Sequence, residues 1–286
     1  MNLGEWLSTW LELYVDPSSL AKNTKSCYHR AVRAVPEALA AQPLEQLSPL
    51  DLRRWLLLIA KSTPRAAQLD RVMLSRALTV AGKLGLCRPG LIDRDVCPQI
   101  VHTPRKAAVL TAEQLHRYMA AAARTEAAAV LLLCCCGCRR GEAMGARWED
   151  LDLAAGVLSI SVQRQDHDAL PLKSAASRRR IALPAAVLTT LRALPRPIGG
   201  GWVCGCSQQT VYRCHRKALA VEGLPSVTLH GLRHTVATLA AISGEPIKAI
   251  QVALGHAHFA VTADLYADHL PAVCGSLAHD WKSCEG

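Results

Sequence analysis

Six side chains in four separated segments have the chemical types needed to work on a phosphate group. They are Arg139 in Gly137-Cys138-Arg139-Arg140-Gly141-Glu142, Lys173 in Pro171-Leu172-Lys173-Ser174, His230 and Arg233 in His230-Gly231-Leu232-Arg233-His234, and His256 in Leu254-Gly255-His256, with Tyr266 ten residues further on. A guanidinium presents paired donors in a plane that matches phosphate oxygens and stays charged at any relevant pH. Histidine moves protons near neutrality, and tyrosine and lysine supply a nucleophile and a proton donor. Taken singly, each residue also has an ordinary reading. Arg139 suits a surface beside glycine, Lys173 an exposed hairpin and His256 a helix end, while Tyr266 suits a half-buried position. His230 and Arg233 stand three apart on a predicted helix and so share a face.

In this order the residues resemble the catalytic signature of the tyrosine recombinases, the phage integrase family, in which Arg, Lys, His-x-x-Arg, His and a terminal Tyr succeed one another. The surroundings carry the same resemblance. Gly137-Cys138-Arg139-Arg140-Gly141-Glu142 is similar to the family's Gly-x-Arg-x-x-Glu element, Arg147 to Asp152 to the stretch that follows it, and His230 to Thr235 to its His-x-x-Arg box. Trp6 to Tyr28 and the helices up to Gly90 are similar to the family's core-binding domain, so the resemblance spans essentially the whole chain.

The resemblance implies a site-specific recombinase that cleaves and rejoins DNA without ATP. Tyr266 would attack the scissile phosphate and conserve its bond energy as a 3′-phosphotyrosine, which an activated water cannot do. Arg139 and Arg233 would clamp the charge of the transition state, and His256 would add a hydrogen bond to it. Lys173 would protonate the departing 5′ hydroxyl, and His230 would assist proton transfer at Tyr266. With arginines neutralising the phosphate, the expected cofactor is none and the expected metal is none. Glu142 and His234 match supporting rather than reacting positions. The expected partners are double-stranded DNA carrying specific recombination sites, a homotetramer in the synaptic complex with the tail after Leu270 docked on a neighbour, and an accessory directionality factor. Integration or excision of a phage or mobile element is the expected role, and Xer-type resolution of chromosome or plasmid dimers is the alternative.

Composition sets the frame for these residues. The 286 residues carry 33 Lys and Arg against 23 Asp and Glu, a net charge of +10, and half are apolar. Residues 1–105 hold 14 basic against 9 acidic residues and the rest hold 19 against 14, so each part carries +5 and no basic tail accounts for the balance. That distribution favours a polyanion touched by both halves. Of 12 cysteines, four cluster at Cys134, Cys135, Cys136 and Cys138 in an apolar run, which reads as reduced core thiols. Cys204, Cys206, Cys214 and His215 lack the usual zinc-ligand spacing. The longest apolar stretch, Ala127 to Cys138, is too short for a membrane crossing, and the first residues lack an export signal. The expected location is the bacterial cytoplasm, associated with the nucleoid.

The elements that must position the site are expected to be mainly α-helical with a small antiparallel sheet. Residues 1–102 are expected to form a helical, SAM-like core-binding domain, 103–110 a linker, and 111–286 a catalytic domain. The two would form a clamp on the duplex, with the extra arm-binding domain of some phage integrases absent. Trp6, Trp10, Leu11 and Tyr14 are placed on one helix face, and Ser48-Pro49 opens another helix. A helix over Thr63–Leu84 is read with Leu69, Val72, Leu78 and Val80 inward. Its Arg65, Arg71, Arg76 and Lys83 are expected to be DNA-binding, together with Arg178 and Arg179. Thr111 to Gln114 has the capping-box pattern. Val157–Val162 and Arg180–Leu183 alternate as strands, and helices resume near Pro184, Gln208, Thr228 and Pro246, with Gly244 and Gly255 as C-caps.

Overall fold

The computed structural model describes residues 1–93, 97, 100, 108–165, 168–172 and 177–255. The linker expected at 103–110 and the tail after Leu270 fall largely or wholly outside these residues. The chain divides into two compact units, Met1–Arg105 and Lys106–Gly286. The fold is mainly helical with small antiparallel sheets.

The first unit is helical throughout its described part. Helix α1 (Leu3–Trp10) opens on a capping box: the Asn2 side chain accepts from the Glu5 amide at 2.8 Å, and the Glu5 carboxylate accepts from the Asn2 amide at 2.9 Å. The chain then makes one π-helical turn, Leu11–Val15. Its wider turn shifts the phase of the apolar stripe, so Val15 is buried and Tyr14, expected inward, is 44% exposed. Helices α2 (Lys22–Arg33), α3 (Glu37–Ala40) and α4 (Pro49–Ser62) follow, the last capped by the Ser48 side chain with Pro49 in its first turn.

Helix α5 (Pro64–Lys83) runs through the core of this unit, burying Ala67, Asp70, Arg71, Met73, Leu74, Ala77, Leu78 and Ala81. The spacing of 67, 70, 71, 74, 77, 78 and 81 is that of one helical face. Val72 is 42% exposed, which corrects the expected phase. The indole Nε1 of Trp6 donates to the Ala77 carbonyl at 3.1 Å, so a buried ring has its one donor satisfied.

In the second unit α6 (Ala112–Ala122) begins with the expected capping box, Thr111 and Gln114 bonding reciprocally at 3.2 and 3.0 Å. Helix α7 (Ala128–Cys135) is buried at every position and forms the centre of the core. Burial pushes the Cys134 thiol up to about 12, and Cys135 and Cys138 also well above the ordinary range, as expected of inert core thiols. A short helix α8 (Arg140–Met144) leads to strands β1 (Leu151–Asp152) and β2 (Val157–Ile160).

Strands β3 (Gln163–Gln165) and β4 (Asp168–Leu170) form a separate antiparallel hairpin beyond the strand expected over Val157–Val162. Strand β5 (Arg179–Ala182) returns to β2, giving the order β1-β2-β5 with Leu158 opposite Ile181. Helices α9 (Ala185–Arg192), α10 (Gln208–Val221), α11 (Leu229–Ile242) and α12 (Ile247–Leu254) stand where the sequence places them. Gly255 closes α12 in the left-handed region at φ 66°.

Candidate active site

Glu142 is the centre of the site. It lies on α8 with its side chain 3% exposed, and two guanidiniums reach its carboxylate directly. Arg139 Nη1 donates to Oε1 at 2.7 Å and the Arg139 amide to Oε2 at 2.9 Å. Arg179 Nη2, from β5, donates to Oε2 at 2.9 Å, and Arg233 Nη1, from α11, stands 4.0 Å from the same oxygen. Burial alone would raise the Glu142 carboxyl, but the bonds and charge of Arg179 and Arg139 outweigh it and hold the carboxyl below the ordinary range.

The cations are held further by backbone carbonyls at the ends of two helices. Arg233 is 1% exposed, and it donates from Nη1 to the Gly137 carbonyl at 2.7 Å and from Nη2 to the Leu254 carbonyl at 2.6 Å. Gly137 has φ +87°, in the left-handed region that favours glycine, and a Cβ there would press on Leu254 Cδ2 at 2.9 Å where this corner meets α12. Arg139 Nη2 donates to the Gly255 carbonyl at 2.9 Å and keeps its side chain 32% exposed.

Charge is not balanced here. Three guanidiniums around one carboxylate leave +2 in a largely buried place, where burial and the Arg139 charge push the Arg233 guanidinium down to about 9. Arg233 Nε is buried and has no acceptor among the described residues. A buried site that is cation-rich, with a donor to spare, is stabilised by an anion such as a phosphate.

His230 and His234 stand on the same face of α11 as Arg233, their rings edge to face at 4.5 Å between centroids. The Thr228 side chain caps this helix by accepting from the Gly231 amide at 2.8 Å. His230 is exposed by area, yet the partial burial of its ring, with His234, Arg233 and Arg139 adding positive charge, pushes its imidazole down to about 4. That lies below the expected value near neutrality and favours the uncharged imidazole. His234 is lowered by its burial and by Arg233.

The structure thus brings Arg139, His230 and Arg233 together, while Lys173, His256 and Tyr266 lie outside the described residues. Two expected DNA contacts are corrected. Arg71 is buried at 8%, its Nε donating to the Cys97 carbonyl at 2.8 Å, because it shares a face with Leu74 and Leu78. Arg179 has a side chain only 5% exposed, because it shares the inward parity of Ile181 and Leu183 on its strand. Those apolar neighbours at helical and strand spacing were the signals available in the sequence. Arg65, Arg76, Lys83 and Arg178 are exposed residues; Arg65 bonds Gln68, and Arg76 donates to the Tyr28 hydroxyl at 2.7 Å. Both ring nitrogens of His215 are engaged, Nδ1 with the Tyr118 hydroxyl at 2.7 Å and Nε2 with the Val227 carbonyl at 2.8 Å.

Residues 205–272, which hold His230, Arg233, His256 and Tyr266, match the family model described as the phage integrase family. A tyrosine recombinase XerC-like protein of Caldanaerobacter subterraneus subsp. tengcongensis is 22% identical over 169 residues, 47% of this chain and 43% of the relative, so the match spans less than half of that protein. Among solved structures, the Tn1549 transposon integrase in complex with a circular intermediate DNA has a TM-score of 0.78 at 18% identity, over 99% of each chain. A lambda integrase dimer bound to a core site has a TM-score of 0.71 at 20% identity, over 93% of this chain and 95% of that one. The domain match and the shared fold point the same way: residues 205–272 match the phage integrase family, and the chain has the fold of the Tn1549 and lambda integrases.

Proposed function

We propose that the protein is a site-specific DNA recombinase that integrates or excises a phage or mobile element through a 3′-phosphotyrosine intermediate. The observation that carries this reading is the convergence of Arg139, Arg179 and Arg233 on Glu142, an excess of two positive charges, with His230 beside Arg233. Into that pocket the scissile phosphate brings the missing anion, and the arginines oppose the charge that grows on its non-bridging oxygens.

In the proposed reaction the Tyr266 oxygen bonds to phosphorus as the bond from phosphorus to the 5′ oxygen breaks. The tyrosine proton passes to neutral His230, and the 5′ oxygen takes a proton from Lys173, so charge and protons balance within the step. His256 donates to the phosphate. The second half-reaction reverses these transfers with the 5′ hydroxyl of the partner strand, which restores the phosphodiester with no cofactor. Residues 1–102 act as the core-binding domain, residues 111–286 as the catalytic domain, and 103–110 as the linker. Arg65, Arg76, Lys83 and Arg178 are proposed as phosphate contacts. A homotetramer on two sites, an accessory directionality factor and a cytoplasmic location complete the proposal. The lambda integrase tetramer bound to a Holliday junction, similar over 90% of this chain with a TM-score of 0.69, supports that assembly. Among the described residues no helix is long and apolar enough to cross a membrane.

A nicked suicide duplex tests the chemistry: the wild type accumulates a covalent adduct and Tyr266→Phe binds the duplex without forming one. An adduct in that variant at the wild-type rate overturns the assignment. Dimer resolution is the second reading, favoured by the XerC-like relative. Recombination between element ends supports the first, and recombination confined to directly repeated chromosomal or plasmid sites supports the second.

A further inference from the structure

We propose that Arg179 is a positioning residue that locks three catalytic segments into one frame. This rests on the recombinase reading given above. Its guanidinium is buried, and each of its three nitrogens has a different partner. Nε donates to the Ala253 carbonyl at 2.7 Å, Nη1 to the Ser177 carbonyl at 3.0 Å and Nη2 to Glu142 Oε2 at 2.9 Å. Ala253 precedes His256 by three residues, Ser177 follows Lys173 by four, and Glu142 holds Arg139 through its other oxygen. One planar group therefore ties together the chain ends nearest to the proposed phosphate donor, the proposed general acid and the first arginine of the clamp.

Only arginine has this reach. A lysine would bring the charge but one nitrogen, which cannot serve three acceptors lying in different directions from a rigid fork. The neighbours on the strand make the contrast. Arg178 and Arg180 are exposed, so in a run of three arginines only the middle one turns inward. Burying a cation is unfavourable unless it is paired, and Glu142 pairs it; the carbonyls of Ala253 and Ser177 satisfy the remaining edges. Arg179 has no part in contacting substrate in this arrangement. It acts through Glu142 and through the two chain ends.

The test uses the full-length protein on the suicide duplex, comparing wild type, Arg179→Lys, Arg179→Met and the exposed control Arg180→Met. Thermal unfolding identifies variants that remain folded. In a folded Arg179→Lys or Arg179→Met, duplex affinity stays close to wild type while single-turnover adduct formation falls by about 100-fold, the scale of a misplacement of about 1 Å at a reacting centre. Arg180→Met cleaves like wild type. A second duplex, with sulfur replacing the 5′ bridging oxygen at the scissile phosphate, has a leaving group that needs no proton. It recovers the part of the loss that runs through Lys173, and a general loss of fold would not be recovered. Folded Arg179 variants that cleave the oxygen duplex at the wild-type rate overturn the proposal. A loss in duplex affinity alone, with the cleavage rate intact, overturns it as well, since that is the mark of a phosphate contact. Failure of the wild type to form any adduct sinks the recombinase reading itself, and so the two failures are distinguishable.

Discussion

Replacing Glu142 with glutamine isolates the electrostatic part of the site, because the side chain keeps its shape and loses its charge. In the wild type this carboxylate accepts at 2.7 Å from Arg139 and at 2.9 Å from Arg179, and stands 4.0 Å from Arg233. Glutamine leaves one acceptor oxygen and turns an amide toward guanidiniums that can only donate. The local excess rises from two positive charges to three. Breaking a buried ion pair by removing one partner costs about 3–5 kcal/mol. For a unit of this size each kcal/mol moves the midpoint by about 2–4 °C, so a drop of about 6–20 °C is expected in the transition of Lys106–Gly286. The dependence on pH follows from the direction of the shift. A carboxyl held below its ordinary value contributes stability in full above the ordinary glutamate range, and that contribution fades as the pH falls through the folded value. Calorimetry on both proteins from pH 7 downward therefore gives a wide gap at neutrality that narrows on acidification. A gap of under about 1 °C at pH 7, where even one kcal/mol would move the midpoint by about 2 °C, refutes the central role of Glu142. A gap that stays constant into acid refutes its electrostatic origin.

Histidine resonances followed by NMR place the His230 titration near pH 4 in the free protein, and binding of a duplex moves it upward as phosphate offsets the neighbouring cations; an unchanged value places His230 away from the phosphate. Cleavage of the suicide duplex proceeds in excess EDTA, and loss of cleavage restored by a divalent ion would contradict an arginine-based site. Fluorescence anisotropy against salt concentration shows Lys83→Ala and Arg178→Ala each reducing the log–log slope by about 0.9, whereas Arg71→Met leaves the slope alone. Arg71→Met instead lowers thermal stability by about 1.5–3 kcal/mol, the range for a hydrogen bond to a charged group; a shallower slope in a stable Arg71 variant would return it to the DNA surface.

Much of this was legible in the sequence wherever a local rule has a single solution. The capping box at Thr111, the Ser48-Pro49 helix start and Gly255 at the end of α12 each follow from backbone groups that need a partner or a backbone angle that needs glycine. The order of the motif residues led to Arg139, His230 and Arg233, and the structure brings these three together. Arginine orientation was less legible. A positive charge suggests solvent or phosphate, yet Arg71 and Arg179 turn inward because the apolar residues beside them at helical and strand spacing set the face. Tyr14 was misplaced for a different reason: the π turn at Leu11–Val15 changes the period on which the stripe was counted. The β3–β4 hairpin pairs Gln163-Arg164-Gln165 with Asp168-Ala169-Leu170, a mostly polar, short pair of strands that carries no apolar alternation to read.

The way the site is stitched together also governs when in the life of the chain it exists. Arg233 reaches the Gly137 carbonyl across 96 residues of sequence, and Arg139 reaches the Gly255 carbonyl across 116. Closing loops of that length is entropically costly and comes late in folding, after the local helices have formed. A ribosome-bound chain lacks its last partners until α12 has emerged, and a chain nicked between α8 and α12 loses the covalent link that keeps them together. The groups proposed to clamp the scissile phosphate are therefore assembled only in the finished fold, so on the proposed reading an incomplete or damaged copy is not armed to cut DNA.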